Sequence, residues 1–322
     1  MIYYQSFKCK CLFQLGKLLW CCTLAVLSLS SFAQYHETPE YYQQQLTLAD
    51  KLRTAKREQF NQIISALEND FALLSIEQKY YFKYLKGYQK VIVGDLIQAI
   101  ELLDDVIQQD EYKLLKHRAI VTKVNAYTSI ENYQDGFIVL KQMLPMLEEM
   151  SDRDTFHGAL FVVAMFYNRL SQYQLSQRYV SQLLNTYPTA RYSCLASMLE
   201  IEAKFRLNEL NQNNINKHEV NLCIQENEHI ASSIIMNFMA QWHLQQGQTE
   251  NALNLLTSNL EIAKDTQYYL LISDYFSLIA QCYYRLGNYQ QAELFAMKVL
   301  DKAKEGHKSE AFIRATQVLY QL

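Results

Sequence analysis

The side chains able to act as ligands, bases or nucleophiles are scattered. The seven histidines, His36, His117, His157, His218, His229, His243 and His307, include no pair at the i, i+4 spacing that sets two ligands on one helix face. His218, Cys223 and His229 lie close together in sequence. Their spacings of five and six residues put each on a different helical face, so no metal site is expected. The acidic pairs Asp104-Asp105 and Glu148-Glu149 read as solvated helix faces rather than paired catalytic carboxylates. No serine sits in a nucleophile elbow, and 8 glycines in 322 residues supply no phosphate-cradling loop. The chain is expected to be no enzyme and to need no cofactor. Cys194 and Cys223 are 29 residues apart, a separation that two antiparallel helices fold back into contact. A disulfide there would restrict the unfolded chain by roughly 3 kcal/mol; two buried thiols are the alternative. Cys282, beside Tyr283, reads as an ordinary buried cysteine.

The elements that carry these residues must be helices. Half of the residues are hydrophobic, and 8 glycines with 3 prolines are too few turn-formers for an all-β or loop-rich chain. Tyr is frequent, at 24, and suits helix contacts in which one edge of the ring stays wet. Met1 to Ala33 carry Lys8, Lys10 and Lys17, no acid, and an apolar run from Leu18 to Leu29 that ends in Ser31-Phe32-Ala33. That pattern predicts a signal peptide over 1–33, cleaved before Gln34, since a spanning helix needs about 20 apolar residues. Cleavage leaves 30 − 3 = 27 basic against 33 acidic residues, a net charge of −6, which argues against a nucleic-acid partner. The compartment expected is the periplasm, with the membrane met only through an uncleaved leader, and its oxidising chemistry favours the disulfide.

A repeat search sets the architecture. In the segment Phe276 to Ala292, Phe276, Ala280, Tyr283 and, after Gly287-Asn-Tyr289, Ala292 fill the bulky, small, aromatic and small positions of a two-helix unit. The pattern recurs with Gly87, Gly94 and Ala99; with Ile120, Val124, Tyr127 and Gly136; with Leu160, Ala164, Tyr167 and Ser176; and with Met236, Ala240, His243 and Ala252. The second-helix small residues step from 99 to 136, 176, 252 and 292, so the step of 76 hides a degenerate unit over about 192–226. On these residues the chain resembles the tetratricopeptide repeat (TPR) family. The resemblance implies an all-α, TPR-like superhelical solenoid of antiparallel helix pairs. Leu46 to Leu67 reads as one helix of an N-terminal cap over 34–79. About six helix pairs fill 80–322, and the last helix spans 308–322.

In TPR units the first helix of each pair lines the groove. The inward positions there are Asn125, Met165, Asn168, Arg169, Gln241, Gln245, Gln281 and Arg285. Arg169 and Arg285 fall at equivalent places and suit a carboxylate. The expected partner is a protein or peptide, or a small anionic ligand; solvated surface is the alternative. More closely, the runs Tyr80 to Tyr88 and Arg118 to Tyr127 and the triplet Phe166-Tyr167-Asn168 resemble the exported TPR sensor region of bacterial diguanylate cyclases. Gly-Gly-Asp-Glu-Phe and its Gly-Gly-Glu-Glu-Phe variant are absent from the sequence, so only the sensing half of that family is implied. A ligand would then act by changing superhelical curvature. A stand-alone envelope scaffold and an envelope enzyme with an unrecognised site are the remaining alternatives.

Overall fold

The computed structural model describes residues 38–54, 56–211, 217–301 and 309–322; the expected leader and its cleavage site lie outside them. No strand occurs among the described residues. The chain divides into two compact units, Met1–Leu115 and Lys116–Leu322, so the first extends past the expected cap boundary at 79.

Unit 1 holds α1 (Pro39–Leu52), α2 (Arg57–Asn69), a 3-10 turn (Phe71–Leu73), α3 (Ile76–Val93) and α4 (Leu96–Ile107). The helix expected over Leu46 to Leu67 is thus two helices that pack on each other. Periodicity missed the break for a simple reason. The buried Ala49 and Phe60 are eleven residues apart, and eleven residues make three turns to within about 20°, so the apolar stripe runs through in phase. α2 also starts without a side-chain cap at Lys56, so no start signal marks it. α3 does carry one. Ser75 accepts from the Gln78 N–H, and Gln78 Oε1 accepts from the Ser75 N–H at 3.1 Å, forming a capping box. Gln78 also donates to the Pro39 carbonyl at 2.7 Å, which ties α3 back to α1.

Unit 2 takes all but the first three residues of α5 (Lys113–Ser129) and continues with α6 (Tyr133–Met143), a 3-10 segment (Leu144–Glu149), α7 (Arg153–Arg169), α8 (Tyr173–Asn185) and α9 (Ala190–Arg206). After these come α10 (Lys217–Gln225), α11 (His229–Gln245), α12 (Thr249–Asp265), α13 (Tyr269–Arg285), α14 (Tyr289–Leu300) and α15 (Glu310–Gln321). The first helices of the successive pairs, α7, α9, α11 and α13, are each 17 residues long, as is α5. The unit read as degenerate therefore has a first helix of full length. Its second helix, α10, has 9 residues, and the expected crossing position near residue 213 lies outside the described residues.

Each of these five helices ends in the same way. Two residues past the last helical position, Glu131, Ser171, Asn208, Gly247 and Gly287 have φ between 57° and 76°, and the next N–H reaches back to a carbonyl in the last turn, as Asn288 does to Tyr283 at 2.9 Å. Only two of the five are glycine, so a search for glycine turns sees fewer than half of the helix ends. A Cβ on Gly287 would meet nothing within 4 Å. Gly287→Ala is therefore expected to lose only the backbone term, about 1 kcal/mol, read from the midpoint of urea unfolding.

Packing follows the motif positions. Ala99, Ser176, Ala252 and Ala292 are fully buried where a second helix crosses its first, as are Ala164, Ala240 and Ala280 on the first helices. At Gly136 a Cβ would lie 2.8 Å from the Phe166 ring, so this crossing needs glycine itself. Cys194 on α9 and Cys223 on α10 form a disulfide with Cα atoms 5.0 Å apart, both fully buried. Next to it in sequence order, a buried polar knot joins three helices. Asn259 donates to Tyr275 Oη at 2.8 Å and to Ser233 Oγ at 2.9 Å, and Tyr275 donates to the Ser233 carbonyl at 2.8 Å. Burial pushes the Tyr275 hydroxyl above its usual range and the Cys282 thiol up to about 12, so Cys282 stays protonated and inert at neutral pH.

His157 on α7 is 2% exposed, its ring 5.7 Å from that of Tyr192, and its Nδ1 has no hydrogen-bond partner among the described residues. Burial, aided by the Arg153 charge, lowers its pKa against the opposing pull of Asp154 and the Thr186 backbone. A lowered pKa means that the neutral ring stabilises the fold above about pH 6.5, and that this stability is lost as pH falls through the folded value. Between pH 8 and 5, wild type should therefore lose stability relative to His157→Asn in urea melts; a gap that stays constant would contradict this.

Candidate functional site

Because α5, α7, α9, α11 and α13 share length and ending, positions counted back from their last residues align across unit 2. Five before the end stand Val124, Ala164, Ile201, Ala240 and Ala280, all buried against neighbouring helices. One residue further on, four before the end, stand Asn125, Met165, Glu202, Gln241 and Gln281. The last residues are Ser129, Arg169, Arg206, Gln245 and Arg285. A long polar row thus runs along one face of the first helices.

Contacts identify that face. Arg206, the last residue of α9, approaches Glu310 Oε1 at the start of α15 to 3.4 Å. In the packing order α9, α11, α13, α15, two helices lie between them. Non-neighbouring helices of a curved stack meet only on its inner side, so the row lies on the concave face of unit 2. The same corner holds Arg314, whose Nε donates to Ser277 Oγ at 3.1 Å, whose Nη2 pairs with Asp274, and whose Nη1 lies 3.5 Å from Glu310 Oε2.

The expected site residues fare differently. Asn125 and Gln281 are half-buried in the row, Gln241 is half-buried and donates to Asn237 Oδ1 at 2.6 Å, and Gln245 is exposed. Met165 leans on the core instead, packed against the cluster around Leu160 and Leu199. Asn168 is not on open surface: at 4% exposure it lies between α7 and α9, donating to the Leu199 carbonyl and to Glu202 Oε2, both at 3.2 Å. Arg169 and Arg285 do not form a shared fork. Arg169 faces Glu202 at 3.9 Å, whereas Arg285 reaches back to the α11 C-terminus and donates to the Leu244 carbonyl at 2.8 Å. An arginine there adds a second donor to a last-turn carbonyl that also accepts from the Gly247 N–H at 3.3 Å, and it opposes the negative end of the helix dipole.

Glu202, Arg206, Asn237, Asp274, Glu310 and Arg314 were missed. Stepping 37 residues on from Met165 and Arg169, the same step that separates Ala99 from Gly136, reaches Glu202 and Arg206. The degenerate label on that unit hid them. Asn237 is 5% exposed, its Oδ1 taken by Gln241 and its Nδ2 without a partner among the described residues. Burial raises the pKa of Asp274, with Arg314 opposing and Glu310 adding to the rise. Among the described residues, no three His, Cys, Asp or Glu side chains gather as metal ligands, and Cys223 is committed to its disulfide. Unit 1 has its own cleft of about 700 Å³ floored by Phe71, Phe82 and Leu102. Its lysines are already paired: Lys83 with Asp105, Lys86 with Glu68 at 2.8 Å and Lys90 with Asp95 at 3.0 Å.

Chemically, the row offers amide donors and acceptors flanked by guanidinium groups, a surface suited to the alternating N–H and C=O groups of another backbone. With this geometry in hand, comparison places the fold: it is all-α and TPR-like. Residues 224–305 match the tetratricopeptide repeat family. Among solved structures the chain is similar to the apo form of the quorum sensor NprR from B. thuringiensis, with 16% identity, a TM-score of 0.61, and coverage of 88% of this chain and 81% of that one. It is also similar to NprR in complex with its cognate peptide NprX, at 16% identity and a TM-score of 0.59 over 87% and 83% of the two chains. A tetratricopeptide repeat protein from Parabacteroides merdae aligns at 12% identity with a TM-score of 0.52, over 87% of this chain and 98% of that one. No curated protein matches the sequence.

Proposed function

We propose that this chain is a non-catalytic sensory or scaffold module that binds a peptide along the concave row of unit 2. One observation carries the reading: one turn before Gln241, which stands in the row with Asn125 and Gln281, Asn237 holds a buried Nδ2 donor with no partner among the described residues. Leaving a buried donor unmet costs about 1–3 kcal/mol, and a ligand backbone carbonyl admitted as Gln241 swings aside would relieve that cost. The likeness in fold to NprR, one of whose structures holds a cognate peptide, supports the same reading. The compartment belongs to the proposal too: the basic and apolar leader pattern of Met1 to Ala33 and the Cys194–Cys223 disulfide support export to an oxidising space. There the module would sense a ligand as the resembling sensor regions of diguanylate cyclases do.

The test is selection of binders from a displayed random-peptide library against the full chain, followed by affinity measurement. Asn237→Ala with Gln241→Ala is expected to weaken a selected peptide at least about tenfold, the equivalent of 1.4 kcal/mol. Selected peptides that bind this double variant as tightly as wild type would overturn the reading.

A further inference from the structure

Glu310 holds a singular position. Its two carboxylate oxygens face two arginines from different helices, Oε1 toward Arg206 of α9 at 3.4 Å and Oε2 toward Arg314 of its own helix at 3.5 Å. The two arginines differ in how firmly they are held. Arg314 is anchored by Asp274 and by Ser277 Oγ at 3.1 Å, with 16% of its side chain exposed. Arg206 lies over the Phe238 ring at 5.7 Å. Glu310 is the loose member, with 62% of its side chain exposed.

We propose that Arg206 and Arg314 form a carboxylate-binding site that spans the concave face from α9 to α15, and that Glu310 occupies it in the free protein as a built-in competitor. Charge supports the assignment. Arg206 and Arg314 balance Asp274 and Glu310; when Glu310 swings out, one net positive charge remains, matched by a single carboxylate. Shape supports it as well. Guanidinium forks suit planar carboxylates, and an ion pair as exposed as that of Glu310 is weakly held, so a ligand can displace it. The bridge spans from α9 to α15 across α11 and α13, so its opening would also free α9 and α15 to move apart. The site rests on the peptide-binding reading above, and it adds that one end of the peptide presents a carboxylate, either an acidic side chain or its own C-terminus.

Three probes separate those sources: acetyl-tetraglutamate amide, acetyl-tetraalanine with a free C-terminal carboxylate, and acetyl-tetraglutamine amide as the uncharged control. Their affinities are measured by titration calorimetry for the full chain as wild type, Glu310→Gln, and Glu310→Gln with Arg206→Gln. An internal competitor lowers apparent affinity by the fraction of time the site is open. Glu310→Gln is therefore expected to tighten at least one carboxylate probe by about fivefold or more, to leave tetraglutamine unchanged, and to lose the gain when Arg206 is also replaced. Both carboxylate probes unaffected by Glu310→Gln would overturn the inference. If library peptides still bind through Asn237 and Gln241 in that case, the concave-row reading survives without it. If carboxylate probes respond while no library peptide binds, the carboxylate site stands and the peptide reading falls. No binding by any probe or peptide overturns both.

Discussion

Phe166→Ala should destabilise unit 2 by about 3–5 kcal/mol, among the largest losses available from a single core side chain here. Phe166 is fully buried on α7, its ring 6.1 Å from Tyr133, 6.5 Å from Phe137 and 6.1 Å from Tyr167. It also lies directly on Gly136, the small residue that lets α6 approach. The loss should be read from chemical denaturation monitored by far-UV dichroism. Its partner gives an internal check. Gly136→Ala alone drives a methyl into the ring and should cost about 1–3 kcal/mol by overpacking. Combined with Phe166→Ala, the new methyl fills part of the cavity, so the double variant should be more stable than the sum of the two losses predicts. Strict additivity would mean that the ring does not rest on Gly136.

The second large effect is covalent. Cys194→Ala with Cys223→Ala is expected to lower the stability of unit 2 by about 3–4 kcal/mol, the loop-closure value for a bridge spanning 29 residues. The reason it matters here is local: the bridge staples α9 to the 9-residue α10, a helix too short to hold itself by propensity. The loss is checked by urea unfolding with and without the bridge, and by the mobility difference between reduced and non-reduced chain on denaturing gels. Equal midpoints would show that packing alone fixes α10.

Much of the fold was legible because the constraint on each crossing point is steric. Ala99, Gly136, Ser176, Ala252 and Ala292 had to be small for two helices to cross, and small residues at fixed spacing are visible in one sequence. Helix ends were less legible: Glu131, Ser171 and Asn208 take the same left-handed conformation as Gly247 and Gly287, held by backbone hydrogen bonds that carry no residue signature. The break between α1 and α2 was invisible because it preserves phase.

The site was legible in part. Counting along the repeat puts Asn125, Gln241 and Gln281 at equivalent helix positions, since position within a helix fixes which face a side chain takes. It could not show what each arginine touches. Arg169 turned to Glu202 and Arg285 to a backbone carbonyl, while the arginines that meet a shared carboxylate are Arg206 and Arg314. Glu310 comes to Arg206 from 104 residues away, a meeting set by the curvature of the stack, which no local pattern encodes.

Amide hydrogen exchange of the full chain, with and without a selected peptide at saturation, tests the central claim most directly. Binding along the concave row predicts slowed exchange concentrated in the first helices α5, α7, α9, α11 and α13, with the second helices α8, α12 and α14 and the cleft of unit 1 unchanged. Protection confined to the second helices or to unit 1 would contradict the account and move the site elsewhere.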